Sequence, residues 1–300
     1  MKARQWALFG TLGLVWGSSF LWIKIGVQEM GPITLMALRT LTGVLGLTLV
    51  VAFSRPVFPK SRRTWLVMLL LGITNTAIPF SLISWGEQYI DSSVASILNG
   101  TVPLFTVVIA HLSLHDDRMT IYRVLGLVTG FAGVVVLVSR NLGPGGFGGN
   151  VLGQLAVLLA AISYALSSVF ARRHLRDVDS MVQAFIPLAS ASAATWLGAL
   201  VLESPVRLPT LPITWLAVAW LGLLGSCIAY LIFYYLVHAI GPTRTTMVTY
   251  VFPVVGPILG IAFLGEKGDG RLALGAGLVA AGMWFANLRR GPVRESAAAL

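Results

Sequence analysis

Two stretches decide how the chain reads: residues 65–86, WLVMLLLGITNTAIPFSLISWG, and residues 215–236, WLAVAWLGLLGSCIAYLIFYYL. Each is free of charged residues and long enough for a helix to cross a hydrocarbon core, which takes about 20 apolar residues. They lie 150 positions apart and share Trp65-Leu66 with Trp215-Leu216, Leu71-Gly72 with Leu221-Gly222, and Ile78 with Ile228. The register runs on without a gap: Ile90 meets Ile240, Pro103 meets Pro253, Leu114 meets Leu264, and Asp116 meets Glu266. An offset of 149 aligns the flanks, Ser18-Ser19 with Ser167-Ser168, Gly126 with Gly275, Ala132-Gly133 with Ala281-Gly282, and Arg140 with Arg289. The chain therefore reads as two copies of one unit.

Working outward, apolar runs recur at 5–27, 33–53, 65–85, 93–113, 122–139, 151–171, 182–202, 215–237, 244–264 and 271–288. Prolines and glycines punctuate them, as at Gly31-Pro32, Arg55-Pro56, Pro205 and Gly241-Pro242, where a helix stops because proline lacks the N–H and clashes with the preceding turn. The expectation is an all-α membrane protein of ten transmembrane helices. Residues 1–140 form one five-helix repeat, 141–150 a Gly-rich connector, 151–290 a second repeat, and 291–300 a tail. Five is odd, so the second copy enters the bilayer upside down relative to the first. Inverted repeats supply two near-equivalent packings, one open to each side, the basis of alternating access.

Composition agrees. Of 300 residues, 56% are hydrophobic and 11% charged, with mean hydropathy +0.84. A soluble domain carries roughly 25% charged residues, so a soluble enzyme, a nucleic-acid binder and a disordered scaffold are excluded. The net charge of +10 sits in short clusters between apolar runs, which suits orientation and anionic lipid rather than nucleic acid. With the N-terminus inside, fifteen Lys and Arg fall in cytoplasmic loops and ends, against five opposite. Both termini are then cytoplasmic. The lone Cys227 lies within an apolar run and reads as a small packing residue. The N-terminal apolar stretch is too long for a signal peptide and is read as the first span.

The fourth and ninth spans each place polar residues just before a central proline: Ser96 and Asn99 before Pro103, Thr246, Thr249 and Tyr250 before Pro253. The proline leaves a carbonyl one turn earlier without its N–H, and in lipid that carbonyl must face protein or a wet cavity. Aromatics form a second set. Trp6, Trp65, Trp215 and Trp284 read as an interfacial belt. Tyr164, Tyr230 and Tyr250 lie deeper, where a hydroxyl facing lipid is costly. Arg39 is the one charge well inside a span and marks a functional or paired site, with snorkelling to the headgroups as the bland alternative. Glu87 with Asp91, and Asp116 with Asp117, read as solvated helix ends, so no carboxylate proton relay is expected. No phosphate-binding loop, metal cluster or Ser–His pair is found, and no cofactor is expected.

Trp16-Gly17-Ser18-Ser19-Phe20 in the first span, Arg39 early in the second, Pro103 in the fourth, and Pro253 followed by Leu264-Gly265-Glu266 resemble an EamA-type permease of the drug/metabolite transporter superfamily. The resemblance covers nearly the whole chain and is closest to the YddG-type amino-acid exporters of bacterial inner membranes. It implies export of small metabolites, aromatic amino acids among them, through a cavity between spans one, three, four, six, eight and nine. On that reading Ser18, Ser19, Asn75, Asn99, Thr249 and Tyr250 offer hydrogen bonds to substrate. Trp16, Phe80, Tyr164, Tyr230 and Tyr234 shape the walls, and Arg39, Pro103 and Pro253 act structurally or in gating. The expected partners are a small-molecule substrate and membrane lipid, with no oligomer required. Alternatives are a broad-specificity drug or toxin exporter, a passive channel and, more remotely, a membrane-embedded lipid-modifying enzyme. The essential first-helix glutamate of the small multidrug relatives is absent here.

Overall fold

The computed structural model describes residues 2–113, 119–139, 149–175, 178–240 and 242–288. Nearly all of the connector 141–150, the tail 291–300, Asp116, Arg140 and Arg289 lie outside the described residues. Those described are helical and contain no strand. Among the described residues, nine helices are long and apolar enough to cross a membrane: α1 (Ala3–Gly26), α2 (Pro32–Ser54), α3 (Arg62–Gly86), α4 (Ser92–Ser113), α5 (Ile121–Ser139), α6 (Asn150–His174), α7 (Ser180–Leu202), α8 (Pro212–Val237) and α9 (Arg244–Leu264). The tenth expected span appears as a shorter apolar helix, α10 (Gly270–Ala286).

The bundle is dressed for lipid. Large apolar side chains such as Leu49, Phe53, Val128 and Leu200 face outward, while Thr34, Thr40, Ser96 and Thr195 are buried. Burying apolar surface contributes little when the surroundings are apolar too, so close packing of small residues and interhelical hydrogen bonds hold such bundles together. The α5–α10 pair shows the first device. A Cβ on Gly126 would stand 2.5 Å from Ala286 N, and one on Gly133 would stand 2.8 Å from the Gly275 carbonyl. These pairings run in opposite directions along the two helices, so α5 and α10 are antiparallel.

Two further pairs are antiparallel and tied end to end. The first four N–H groups of a helix have no partner within it. At the start of α2, the Glu203 carboxylate just past α7 accepts from Ile33 N (2.9 Å), Thr34 N (2.8 Å) and Thr34 Oγ1 (2.7 Å). At the start of α4, the Glu266 carboxylate just past α9 accepts from Ser92 N (2.6 Å), Ser93 N (3.0 Å) and Ser93 Oγ. Each carboxylate also sits where the helix dipole is positive. Glu29, between α1 and α2, accepts from the N–H and hydroxyl of Thr210 before α8. All of these contacts lie at one end of the bundle, called here the latched end.

Five of the helices are not regular. α1 bends at Ser18, between Ala3–Gly17 and Ser19–Gly26. α4 breaks at Gly100 and Thr101, just before Pro103. α9 winds as a 3₁₀ helix over Met247–Val251, just before Pro253. α3 and α8 carry π-helical turns, Ile73–Ala77 and Trp220–Ile228, at positions that the repeat superposes. No feature of the sequence led us to expect these last two.

Candidate functional site

A π turn leaves carbonyls without their usual helical donors, and other side chains must reach them. At the α8 turn, the indole of Trp16 donates to the Gly225 carbonyl (3.0 Å), and Ser226 Oγ donates to Leu221 O (3.0 Å). At the α3 turn, Ser163 Oγ of α6 donates to Thr74 O (2.5 Å), and Ser167 Oγ donates to Thr74 Oγ1 (2.9 Å). Thus α1 serves the turn in α8, and its counterpart α6 serves the turn in α3. Of the shared glycines, Gly72 stands just before the α3 turn and Gly222 lies within the α8 turn. A Cβ on Gly222 would collide with Thr42 of α2, and one on Gly72 would collide with the Pro187 carbonyl of α7. That explains why the repeat keeps glycine at both places.

Arg39 lies against the α8 turn and is 4% exposed, so it does not snorkel to the headgroups. Its Nε donates to Ser226 Oγ (3.3 Å), and its guanidinium carbon stands 3.9 Å over the Phe80 ring of α3. A cation over an aromatic face is attracted by the ring quadrupole. Among the described residues no carboxylate is ion-paired with it. Around it the aromatics gather: Trp16 meets Tyr230 edge-on at 6.3 Å and Phe233 at 5.5 Å, and Tyr234 meets Tyr230 at 6.5 Å and Phe233 at 5.3 Å. The structure thus brings Trp16, Arg39, Phe80, Tyr230 and Tyr234 into one neighbourhood, with Tyr164 of α6 partly buried against the same core. Asn75 is half-buried within the α3 turn itself.

The other expected residues sit differently. Ser18 and Ser19 both donate to Val15 O, and Ser18 Oγ accepts from the Trp220 indole (3.0 Å), so both stabilise the α1 bend. Asn99 and Pro253 belong to the α4–α9 crossing, where a Cβ on Gly100 would touch Pro253 Cγ at 3.0 Å. Asn99 is buried there with its Oδ1 lacking a hydrogen-bond partner. Tyr250 turns its hydroxyl to the Met283 carbonyl of α10 (2.8 Å), and Thr249 Oγ1 donates to Thr246 O (3.0 Å). Pro103 follows the break in α4.

One expectation is overturned. Glu87, expected at a solvated helix end, is 0% exposed, and among the described residues neither carboxyl oxygen has a hydrogen-bond partner. Lys24, in the last turn of α1, is half-buried and donates to the carbonyls of Glu87 (2.6 Å) and Ile90 (2.8 Å). The reason is tertiary. The last turn of α1 lies across the loop between α3 and α4 and shields it from water.

A multi-pass helical membrane protein with paired halves and a buried polar centre belongs with the transporters, and the comparisons say which. The chain is a member of the EamA-like transporter family, whose profile matches residues 5–139 and again 151–288. It is 32% identical over 272 residues to the uncharacterized inner membrane transporter YedA of Escherichia coli (strain K12), covering 89% of this chain and 86% of that one. It is 25% identical to the uncharacterized transporter YoaV of Bacillus subtilis (strain 168), over 91% of this chain and 92% of that one. An uncharacterized transporter of Archaeoglobus fulgidus is 24% identical over 96% of this chain and all of its own length. One solved crystal structure shares the fold, with a TM-score of 0.67 at 23% identity across 96% of this chain and 97% of that one.

Proposed function

We propose that this membrane transporter is a secondary carrier of the bacterial inner membrane that exports amino acids, aromatic ones included, or similar small metabolites. Its two five-helix halves are inverted copies that rock about a central site. The excess of Lys and Arg in the loops at the opposite end supports an orientation with the latched end outside and both termini in the cytoplasm. The latched end is closed in this conformation, with Glu29, Glu203 and Glu266 each holding backbone N–H groups of another helix or loop.

The observation that carries the substrate class is the buried Arg39 guanidinium, without a carboxylate partner among the described residues, beside an aromatic wall. A planar cation with several N–H donors matches a carboxylate, and Trp16, Phe80 and Tyr230 suit an apolar or aromatic side chain. The same positive charge disfavours cationic drugs, which sets this reading above a broad drug exporter. The test is counterflow of labelled phenylalanine, tryptophan and leucine into liposomes reconstituted with the full chain. Saturable exchange is expected, falling at least tenfold in Arg39→Gln and recovering only in part in Arg39→Lys. Exchange undiminished in Arg39→Gln contradicts the assignment, and influx without counterflow indicates a pore.

A further inference from the structure

Glu87 has a chemistry that the transport site does not use. It stands one residue beyond α3, with both carboxyl oxygens shielded from solvent and free of hydrogen bonds. Ser84, one turn earlier, is fully buried with its hydroxyl unpartnered, and so is Ser92 at the start of α4. Phe80, a further turn back, carries the Arg39 guanidinium. Residues 80, 84 and 87 share one face of α3, so Ser84 stands between Glu87 and the ring that carries Arg39.

The charges near Glu87 come from several elements. Lys24 of α1 gives its ammonium to two carbonyls rather than to the carboxyl. Glu266, beyond α9, caps α4 nearby, Arg39 faces from α2, and Asp91 lies in the same loop. On the α6 side, Gly153 and Val157 pack on Gly86, and neither can ionise. Lys24, Asp91 and Glu266 also line a cleft of about 370 Å³ at the latched end. A buried carboxylate with no hydrogen bond is among the costliest arrangements in a protein, and the group neutralises instead. Burial drives Glu87 well above the ordinary carboxylate range; Lys24 pulls it down, Glu266 pushes it up, Arg39 pulls it down, and burial prevails.

We propose that Glu87 is a proton-binding site, occupied while the latched end is closed and vacated when that end opens. This rests on the reading that the latched end opens at all. On opening, the carboxyl O–H bond breaks and the proton passes to water entering from that side. The remaining carboxylate is then solvated, with the Lys24 ammonium as its neighbour. Closing reverses the step and takes up one proton per chain, so acid on the latched side favours closure.

The test is infrared spectroscopy of the full chain in lipid nanodiscs at pH 7.5. The latched end is pinned shut by a bifunctional thiol cross-linker between Thr34→Cys and Glu203→Cys in a Cys227→Ala background. A neutral-acid carbonyl band is expected in the pinned protein and in its Glu266→Gln form, and it should be lost in Glu87→Gln. No such band in the pinned protein, or a band that survives Glu87→Gln, overturns the proposal. Thermal stability gives a second reading. A raised folded pKa means the native state holds a proton that the unfolded chain has released, so stability falls as pH rises above about 4.5. Wild type should lose melting temperature relative to Glu87→Gln between pH 5 and 8, and parallel curves overturn the proposal. Neither measurement needs a substrate, so a failure of amino-acid counterflow is separable from a failure here.

Discussion

Single side chains do more here than line a pathway. The Trp16 indole is the donor for the Gly225 carbonyl in the α8 turn. Trp16→Phe keeps an aromatic ring, though a smaller one, and removes the N–H, leaving a buried acceptor unmet, which costs about 1–3 kcal/mol. A lowered melting temperature in detergent, with counterflow reduced, is the expected outcome. Glu203→Ala should cost about 1–2 kcal/mol by uncapping α2. Glu29 behaves differently from Glu87. Hydroxyls of Thr210 and Thr214 hold its carboxyl down at about 2. A lowered folded pKa gives a contribution that is complete above the ordinary 4.5 and lost only as pH falls toward 2. Glu29→Gln should therefore leave the pH dependence of melting unchanged above pH 5, whereas Glu87→Gln should alter it.

Helices and their crossings show where sequence reasoning reaches and where it stops. Apolar runs ended by Gly31-Pro32 or Pro205, and irregular backbone ahead of Pro103 and Pro253, follow from local chemistry and were readable from the residues. The π turns were not, because Ile73–Ala77 and Trp220–Ile228 have no composition that separates them from ordinary helix. Their one trace was the matched Gly72 and Gly222, whose meaning depends on helices 100 or more residues away in sequence. Among the candidate residues, Tyr230 could be picked out with Tyr164 and Tyr250 as an aromatic too deep for an interfacial belt, while Trp16, Phe80 and Tyr234 were expected as walls of the cavity that the family resemblance implies. Glu87 could not, since its burial is imposed by Lys24 and the end of α1 rather than by its own neighbours. The α5–α10 crossing gives a direct check on packing. Gly126→Ala places a methyl against the backbone of Ala286 and should cost about 1–3 kcal/mol, seen as a drop in melting temperature.

Across the bundle, the contacts between antiparallel partners fall into a common pattern. α7 caps α2, α9 caps α4, and α1 and α6 each serve the π turn of a helix in the other half. On the proposed alternating access, a molecule tied this way releases one end as a unit, because each carboxylate latch joins a helix of one half to the other half and can be exchanged for water. The most direct test of that release is counterflow of labelled amino acids by liposomes carrying the Cys227→Ala chain with Thr34→Cys and Glu203→Cys, measured with the pair cross-linked through a cleavable bridge and again after cleavage. Exchange should stop while the bridge is in place and return once it is cut. Exchange at the full rate with the bridge intact would contradict the account.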